Sequence, residues 1–306
     1  MPAPLVSLTV DLDPVGAYHA IHGLPPPAPR DRHHFSLVAI PRFLELFDQL
    51  GVRATFFAVG EDLAHDDVAA LLRSAVDAGH EVANHTATHP YAFLDLDPVA
   101  QAEEIDRCHE QITAATGRPP VGFRTPGYHI DAPALALLAA RGYRYDSSMF
   151  PSAPYYAAKA AVMTWMRLRG RRSRSRAHPP TALLAPGEPY HPNPNRPWLR
   201  GNSPVLEIPA ATRAAGLPLV GTFLAGLPTS VCSRLGRHLV HRPFVTIEFH
   251  AIDLLDRTDG GLDPLLSVQP AASTPLSTRR AALDALLQPL CRAGQGMSLA
   301  EFSARV

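Results

Sequence analysis

Two pairs of residues in this chain have the types and spacing of a metal site. Asp11 and Asp13 close the first strand-like segment, and His85 and His89 follow the third. Residues i and i+2 of a strand point to the same face, and residues i and i+4 stack on one side of a helical turn. Each pair can therefore converge on one point. Two imidazoles and one carboxylate leave a coordination position open for water, which is typical of a hydrolytic zinc centre rather than a structural one.

Further polar side chains stand at the C-terminal ends of other predicted strands. They are Arg124, Asp146 and His250. Barrel enzymes carry their chemistry at this end of the strands. Any one of these residues could instead be an ordinary loop residue, a surface ion pair or a buried structural histidine. The occurrence of polar groups at five strand ends favours a shared site.

Short β-branched runs alternate with longer helical patterns along the chain. The first part predicts strands and helices in the order strand 5–10, helix 37–50, strand 54–59, helix 62–78, strand 81–84, helix 98–115, strand ending at 123–124, helix 132–141 and strand 143–146. The second part predicts strand 205–208, helical stretches between 219 and 239, strand 244–249, helix 277–290 and a short strand 296–299. This alternation favours a parallel α/β sheet or barrel.

The alternation breaks down between residues 150 and 204, in a Pro-rich segment. We interpret about 151–203 as an insertion or lid within one domain that spans 1–306. The segment contains a basic run, namely Arg167, Arg169, Arg171, Arg172, Arg174 and Arg176. A short helix over 157–168, together with these arginines, would make 157–176 a peripheral membrane contact. A solvated surface loop is the alternative.

Composition limits the classes of function that the chain can have. The 306 residues carry 28 basic and 28 acidic side chains, so no global field would gather nucleic acid, and we expect no nucleic-acid partner. Cys108, Cys232 and Cys291 are odd in number and widely spaced, which indicates reduced thiols. No Lys or Arg precedes Arg30, so the basic region of a secretory signal is missing. We therefore expect a cytoplasmic protein, peripheral at the inner membrane surface if 157–176 contacts lipid.

In this order, the strand-end groups resemble the polysaccharide deacetylase family, which is carbohydrate esterase family 4 with its NodB-homology domain. The resemblance covers nearly the whole chain and five motifs, located at 9–13, 85–89, 123–128, 145–148 and 247–250. The second motif, H-[ST]-x-x-H, is the most specific, and the fourth is the least specific. The third follows the pattern R-x-P-x-[YW].

The resemblance implies a distorted (β/α) barrel with about seven parallel strands and one divalent metal ion. The ligands would be Asp13, His85 and His89. Zinc is the expected metal, with cobalt and nickel as alternatives that suit the same ligands. By the same resemblance Asp11 is the general base for the attacking water, and Arg124 holds that carboxylate ionised and oriented.

Amide hydrolysis requires hydroxide near neutral pH, a polarised carbonyl and a proton for the departing amine. The metal site and Asp11 would meet the first two requirements. Pro126 and Tyr128 would lie against the substrate, where a backbone N–H near Tyr128 could share the developing oxyanion. His250 would act as the general acid, with Asp146 as the partner that keeps it protonated.

The first motif departs from the family pattern of adjacent aspartates followed by glycine, because Asp11 and Asp13 are separated by Leu12. This D-x-D form resembles a subset of relatives that lack secretion signals and act on smaller amide, imide or formamide substrates. We therefore expect N-deacetylation or N-deformylation of an aminosugar-containing saccharide, lipid-linked or free, or of a related small amide. Polymeric chitin and peptidoglycan are disfavoured.

Two other interpretations compete with this one. A D-x-D at the first strand end also occurs in phosphatases of the haloacid dehalogenase type, but the single lysine, Lys159, lies in the insertion and the two histidines would have no role. A catalytically inactive barrel that binds glycan or lipid is the nonenzymatic alternative. The complete set of base, ligands and acid argues against it. The sequence leaves the oligomeric state open.

Overall fold

The computed structural model describes residues 3–170, 173, 179–214, 217–259, 266 and 273–306. Four arginines of the predicted basic run lie outside the described residues, namely Arg171, Arg172, Arg174 and Arg176. The predicted contact segment 157–176 is therefore described only in part.

The strands are β1 (Leu5–Asp11), β2 (Thr55–Ala58), β3 (Glu81–Asn84), β4 (Gly122–Phe123), β5 (Tyr145–Asp146), β6 (Pro192–Asn193), β7 (Arg196–Arg200), β8 (Leu206–Glu207), β9 (Arg213–Ala214), β10 (Leu217–Pro218), β11 (Phe244–His250) and β12 (Gln295–Gly296). The α-helices are α1 (Val15–His22), α2 (His34–Leu50), α3 (Asp66–Asp77), α4 (Pro98–Thr116), α5 (Ala132–Ala140), α6 (Ala153–Leu168), α7 (Gly221–Leu224), α8 (Thr229–Leu239), α9 (Leu276–Ala293) and α10 (Leu299–Ser303). Single 3₁₀ turns lie at Pro29–Asp31, Gly60–Ala64, Phe93–Asp95, Pro180–Leu184 and Ala251–Leu254.

Seven parallel strands form the central sheet, in the order β11, β1, β2, β3, β4, β5, β8. The short strand β12 also pairs with β1. The sheet strands are buried on both faces, as expected where helices cover a parallel sheet. The predicted distorted (β/α) barrel with about seven parallel strands is confirmed.

Residues 209–212 bridge the gap between the two edges of the sheet. Near β8, the backbone N–H of Ala210 donates to the carbonyl of Met149 at 2.9 Å. At the other edge, the N–H of Thr212 donates to the carbonyl of Thr246 on β11, also at 2.9 Å. Irregular backbone therefore takes the place of an eighth strand, which is why the barrel is distorted.

The helix boundaries follow from capping residues in the sequence. Asp97 begins α4 by accepting the backbone N–H groups of Val99 and Ala100, each at 2.9 Å, and Gly117 ends the helix in the left-handed conformation. On α5, Asp131 accepts the N–H of Ala134 in the same way. Such caps fix where each helix starts relative to the strand end before it.

Two elements differ from the sequence prediction. Residues 15–22 form α1, although no helix was predicted between the first strand and residue 37. The predicted short strand 296–299 is present with other bounds, because β12 covers Gln295–Gly296 and α10 begins at Leu299. Ser298 and Glu301 form a capping box there, which satisfies the first N–H groups of a helix and excludes a strand.

The insertion 151–203 contains α6 and an antiparallel hairpin of β6 and β7. The predicted helix over 157–168 is confirmed, and it begins earlier, at Ala153. Ser152 caps it by accepting the N–H of Tyr155 at 3.4 Å. The single-domain organisation over 1–306 stays a prediction.

No helix in the described part of the chain combines the length and apolarity that a membrane crossing requires.

Candidate active site

A compact loop after β3 brings His85 and His89 together, in place of the helical turn that their spacing suggested. Thr86 and His89 both have positive φ angles, +68° and +56°. The side-chain carbonyl of Asn84 accepts the Thr86 N–H at 2.8 Å, and the Thr86 hydroxyl accepts the His89 N–H at 3.1 Å. Side chains thus hold the left-handed backbone, and both imidazoles line one cavity.

Asp13 completes this group two residues after β1. Its Oδ1 lies 3.3 Å from His85 Nε2 and 3.1 Å from His89 Nε2. Ligand atoms bound to one zinc ion at tetrahedral distances lie about 3.3 Å apart. The three side chains are buried, so packing restricts their conformations and fixes these distances.

The hydrogen bonds around the three side chains also fit a cation. The backbone carbonyl of Arg124 lies 2.7 Å from His85 Nδ1, which places the proton on Nδ1 and leaves the Nε2 lone pair facing Asp13. The buried Oδ1 of Asp13 has no hydrogen bond of acceptable geometry among the described residues. Although burial opposes it, the imidazoles of His89 and His85 hold the pKa of Asp13 well below its ordinary value. An acceptor oxygen facing two ring nitrogens is the arrangement that a divalent metal satisfies.

Arg124 is fully buried directly after β4 and makes the densest polar contacts of the site. Its Nη1 donates to Asp11 Oδ1 at 2.5 Å, and it lies 4.0 Å from Glu248 Oε1. Its Nε and Nη2 donate to the carbonyl and hydroxyl of Ser147, both at 2.8 Å. The guanidinium also stacks 4.0 Å over the Phe57 ring. One cation therefore serves two buried carboxylates from opposite parts of the chain.

His250 ends β11 directly opposite Asp11 on β1. Its Nε2 lies 3.0 Å from the Tyr128 hydroxyl and 3.7 Å from Glu248 Oε1, and the Tyr128 hydroxyl donates to Glu248 at 2.5 Å. Burial opposes the charged imidazole, but Glu248, Asp13 and Asp11 outweigh it and raise the pKa of His250 to about 9. Burial and Asp11 also raise the pKa of Glu248. The pair of Glu248 and His250 therefore retains at least one proton at neutral pH.

Asp146 does not contact His250, and this part of the sequence interpretation is corrected. On β5, Asp146 is the Cα partner of Glu207 on β8, and burial raises the pKa of both carboxyl groups. Asp146 accepts the Ser148 hydroxyl at 2.6 Å, and Ser148 in turn accepts the N–H of Thr125 at 2.8 Å. These two buried acids thus support the loop beside Arg124. The acidic partner of His250 is Glu248. The two residues are two positions apart on β11, so their side chains share one face of the sheet.

Asp11, Glu248 and His250 also lie close enough to one another to be considered as metal ligands. The Arg124 guanidinium already occupies the position between the two carboxylates. A second divalent ion would meet this fixed positive charge at short range, which disfavours it. We therefore assign one metal-binding group to the site, formed by Asp13, His85 and His89.

The cavity beside the metal-binding group has a volume of about 200 Å³. Its walls include four tyrosines and the single lysine of the chain, namely Tyr18, Tyr91, Tyr128, Tyr155 and Lys159. Tyr128 has a φ of +68°, and its N–H lies 3.5 Å from the Thr125 carbonyl, so it is only weakly bonded. Pro126 lines an adjoining cavity of about 300 Å³.

Some residues of the site were not assigned a role from the sequence. Glu248 had a usable signal, because a glutamate in the middle of the apolar run Phe244–His250 must be buried and needs a partner. Lys159 had none, since its position depends on how α6 packs beside the cavity, and neither had Tyr91. The first-motif and second-motif residues, by contrast, converge on one point as predicted, although a loop and not a helical turn brings His85 and His89 together.

Residues 34–145 match the family model described as polysaccharide deacetylase. The match contains His85, His89 and Arg124, and Asp11, Asp13 and His250 line the same cavity as the two histidines. Over these residues the chain is similar to the polysaccharide deacetylase family. The resemblance deduced from the sequence motifs is thereby confirmed at the level of the family.

Curated relatives match this chain over part of their length. The chain is 33% identical over 114 residues to a peptidoglycan deacetylase-like protein from Gibberella zeae, which is 37% of this chain and 33% of that protein. It is 31% identical over 156 residues to a peptidoglycan deacetylase from Helicobacter pylori, which is 50% of this chain and 52% of that protein. The chain thus spans about a third to a half of the length of these relatives.

A solved structure supports the same fold over almost the entire chain. A Mycobacterium smegmatis protein, assigned as a polysaccharide deacetylase, superposes with a TM-score of 0.60 and 18% identity. The superposition covers 99% of this chain and 89% of that chain. At this level of identity it supports the fold alone.

Replacing Arg124 by Gln should lower the free energy of unfolding by about 3–5 kcal/mol, because two buried carboxylates lose their shared cation. Urea unfolding followed by circular dichroism measures the change. The matched variant Arg124→Lys keeps the charge and loses the Ser147 contacts, so we expect an intermediate loss. Equal stability of the Gln variant and the unmodified protein would contradict this account of the site.

The pKa of His250 should depend on Glu248 and not on Asp146. Glu248→Gln removes the nearest negative charge, so we expect the pKa of the imidazole to fall by about one to three units, and any alkaline limb of activity to move to lower pH. Asp146→Asn should leave the pKa of His250 unchanged. NMR titration of His250, assigned with a His250→Gln variant, distinguishes the two. A shift in the Asn variant alone would restore the pairing inferred from the sequence.

Proposed function

We propose that the protein hydrolyses the N-acyl amide of an aminosugar-containing saccharide or a related small amide. The observation that carries the proposal is the arrangement of Asp13, His85 and His89 around one point, with the Arg124-bound carboxylate of Asp11 3.9 Å from His85 Nε2. This arrangement matches the needs of amide hydrolysis. The similarity of residues 34–145 to the polysaccharide deacetylase family supports it.

Asp13, His85 and His89 would hold the metal ion, and zinc is the metal that two imidazoles and one carboxylate suit best. When bound, the ion supplies Lewis acidity to the substrate carbonyl and to water. Arg124 binds Oδ1 of Asp11, which leaves Oδ2 on the side of His85. Asp11 is therefore positioned to take the proton of the attacking water. The base is thereby oriented before substrate enters.

The protein also supplies donors for the later part of the reaction. The weakly bonded N–H of Tyr128 can donate to the developing oxyanion, and its hydroxyl keeps His250 and Glu248 in one hydrogen-bonded group. The proton retained by this pair can pass from His250 to the departing amine. Acid and base then stand on neighbouring strands, since His250 and Asp11 are register partners.

The finer substrate class is also part of this proposal. The D-x-D form of Asp11 and Asp13 resembles relatives that act on small amides, and the cavity of about 200 Å³ is small for a polymer. We propose N-deacetylation or N-deformylation of a free or lipid-linked aminosugar. The cytoplasmic location stays a prediction.

We further propose that α6 contacts an anionic membrane surface. Val162, Trp165 and Leu168 are spaced by three residues on one side of the helix, and their exposed fractions are 50%, 44% and 83%. Arg167 and Arg169 flank them, and the Arg169 guanidinium lies 4.5 Å over the Trp165 ring. Apolar side chains beside arginines are typical of interfacial helices.

Metal content tests the ligand assignment directly. Protein purified without chelator should carry about one divalent ion per chain, measured by inductively coupled plasma mass spectrometry. His85→Ala and Asp13→Ala should lose it, because each removes one of three protein ligands. His241→Ala, an exposed histidine away from the site, is the matched control.

Hydrolysis is then measured as acetate or formate released from N-acetyl and N-formyl aminosugars. Asp11→Asn should lower the rate by about 10²–10⁴-fold while the metal remains bound. Unchanged metal content in both ligand variants would contradict the metal site. Full metal loading with saccharide binding but without turnover would instead support the inactive barrel considered above.

Membrane contact is tested by co-sedimentation with vesicles of phosphatidylcholine containing phosphatidylglycerol. The double variant Trp165→Ser, Leu168→Ser should bind several-fold more weakly, because it loses the buried apolar groups. Val99→Ser removes an equally exposed apolar side chain on α4 and should bind normally. Equal sedimentation of the double variant and the unmodified protein would end this proposal.

A further inference from the structure

Lys159 lies at the junction of two cavities. It belongs to α6 of the insertion, and it lines both the cavity beside the metal-binding group and the adjoining cavity of about 300 Å³. Tyr91 and Gly127 line both cavities as well. A substrate that extends from the metal-binding group into the adjoining cavity must therefore pass Lys159.

The Tyr91 hydroxyl supplies a second donor at the same junction. It is buried and has no hydrogen-bond partner among the described residues. A buried hydroxyl without a partner costs free energy that a ligand acceptor would recover. Lys159 offers three N–H donors and no acceptor. The two side chains together favour a ligand group with several acceptor oxygens.

The charges around the junction favour an anion over a neutral acceptor. Asp11 is already paired with Arg124, and Asp13 lies against the two imidazoles, so Lys159 is not needed to balance either carboxylate. Asp95 and Asp131 line the adjoining cavity but not the cavity of the metal-binding group. On the side of Lys159 that faces the metal-binding group, an anion would therefore meet carboxylates whose charges are already compensated. Burial lowers the pKa of Lys159 to about 8, which leaves the amine mostly protonated at neutral pH.

We propose that Lys159 and Tyr91 bind a carboxylate or phosphate carried by the substrate near the amide that is hydrolysed. Lys159 is then a specificity-determining residue, which selects an acidic aminosugar derivative over a neutral one. This inference rests on the proposed function and narrows its substrate class.

The kinetic test compares three substrates of one scaffold: N-acetylglucosamine, N-acetylmuramic acid with its carboxylate, and N-acetylglucosamine 1-phosphate. Lys159→Met should lower kcat/KM about tenfold to a hundredfold on the preferred anionic substrate, because a charge-assisted hydrogen bond is lost, and should change the neutral substrate little. Lys159→Arg should restore most of the preference. The two anionic substrates distinguish a carboxylate from a phosphate. An equal loss on all three substrates would overturn the inference.

Tyr91→Phe should weaken the same preference by a smaller factor, since it removes one neutral donor. Tyr156→Phe is the matched control, because Tyr156 lies on α6 but lines neither cavity. A loss of preference in the Tyr156 variant equal to that of the Tyr91 variant would contradict the assignment of Tyr91.

A binding measurement separates this inference from the proposed function. Because the chain has a single lysine, reductive methylation with ¹³C-formaldehyde labels Lys159 and the amino terminus only, and dimethylation keeps the charge. The Lys159 signal should shift and saturate with an anionic sugar and remain in place with N-acetylglucosamine. Saturation without any hydrolysis would contradict the proposed function and leave this inference standing. No shift, or the same shift with the neutral sugar, would overturn the inference.

Discussion

The buried guanidinium of Arg124 is the interaction on which the rest of the site depends. It neutralises Asp11 and Glu248, which arrive on neighbouring strands, and it anchors to Ser147 on the far side. Removing two carboxylates from water is costly unless a cation with several fixed donors compensates them. Because both carboxylates are satisfied by one residue, the proposed base and the partner of the proposed acid are held at a constant separation. The fold thus sets the geometry of the proton transfer that we propose.

Support for this arrangement extends well beyond the residues that face the cavity. The Asp146 and Glu207 pair braces the loop that carries Ser147, and Asn84 braces the loop that carries the two histidines. None of these three residues lines the cavity beside the metal-binding group. Their contribution is to restrict rotamers and backbone angles at positions where a small displacement would separate the ligands.

The sequence was sufficient to predict the fold class and the polar residues that gather at the strand ends. The carboxyl ends of parallel strands lie at one edge of the sheet, and this holds for any conformation of the loops. It was insufficient where a contact depends on which strands are neighbours. Asp146 was paired with His250 from the motif order, whereas four strands separate β5 from β11 in the sheet. The helical turn predicted for His85 and His89 was wrong for another reason. The side-chain amide of Asn84 stabilises a left-handed backbone at Thr86, and the spacing of the two histidines carries no information about it. Lys159 was not predicted to lie at the site, because it belongs to the insertion and the local sequence does not indicate where α6 packs.

Thr86, His89 and Tyr128 are the non-glycine residues with positive φ in the described part of the chain, and all three lie at the site. Each such conformation costs about 1–3 kcal/mol, which the surrounding contacts must offset. Selection for heat resistance alone would favour glycine at these positions, yet glycine would remove a hydroxyl, a ligand and an aromatic wall. The protein therefore has limited room to become more thermostable at its centre, and gains in robustness must come from the outer helices.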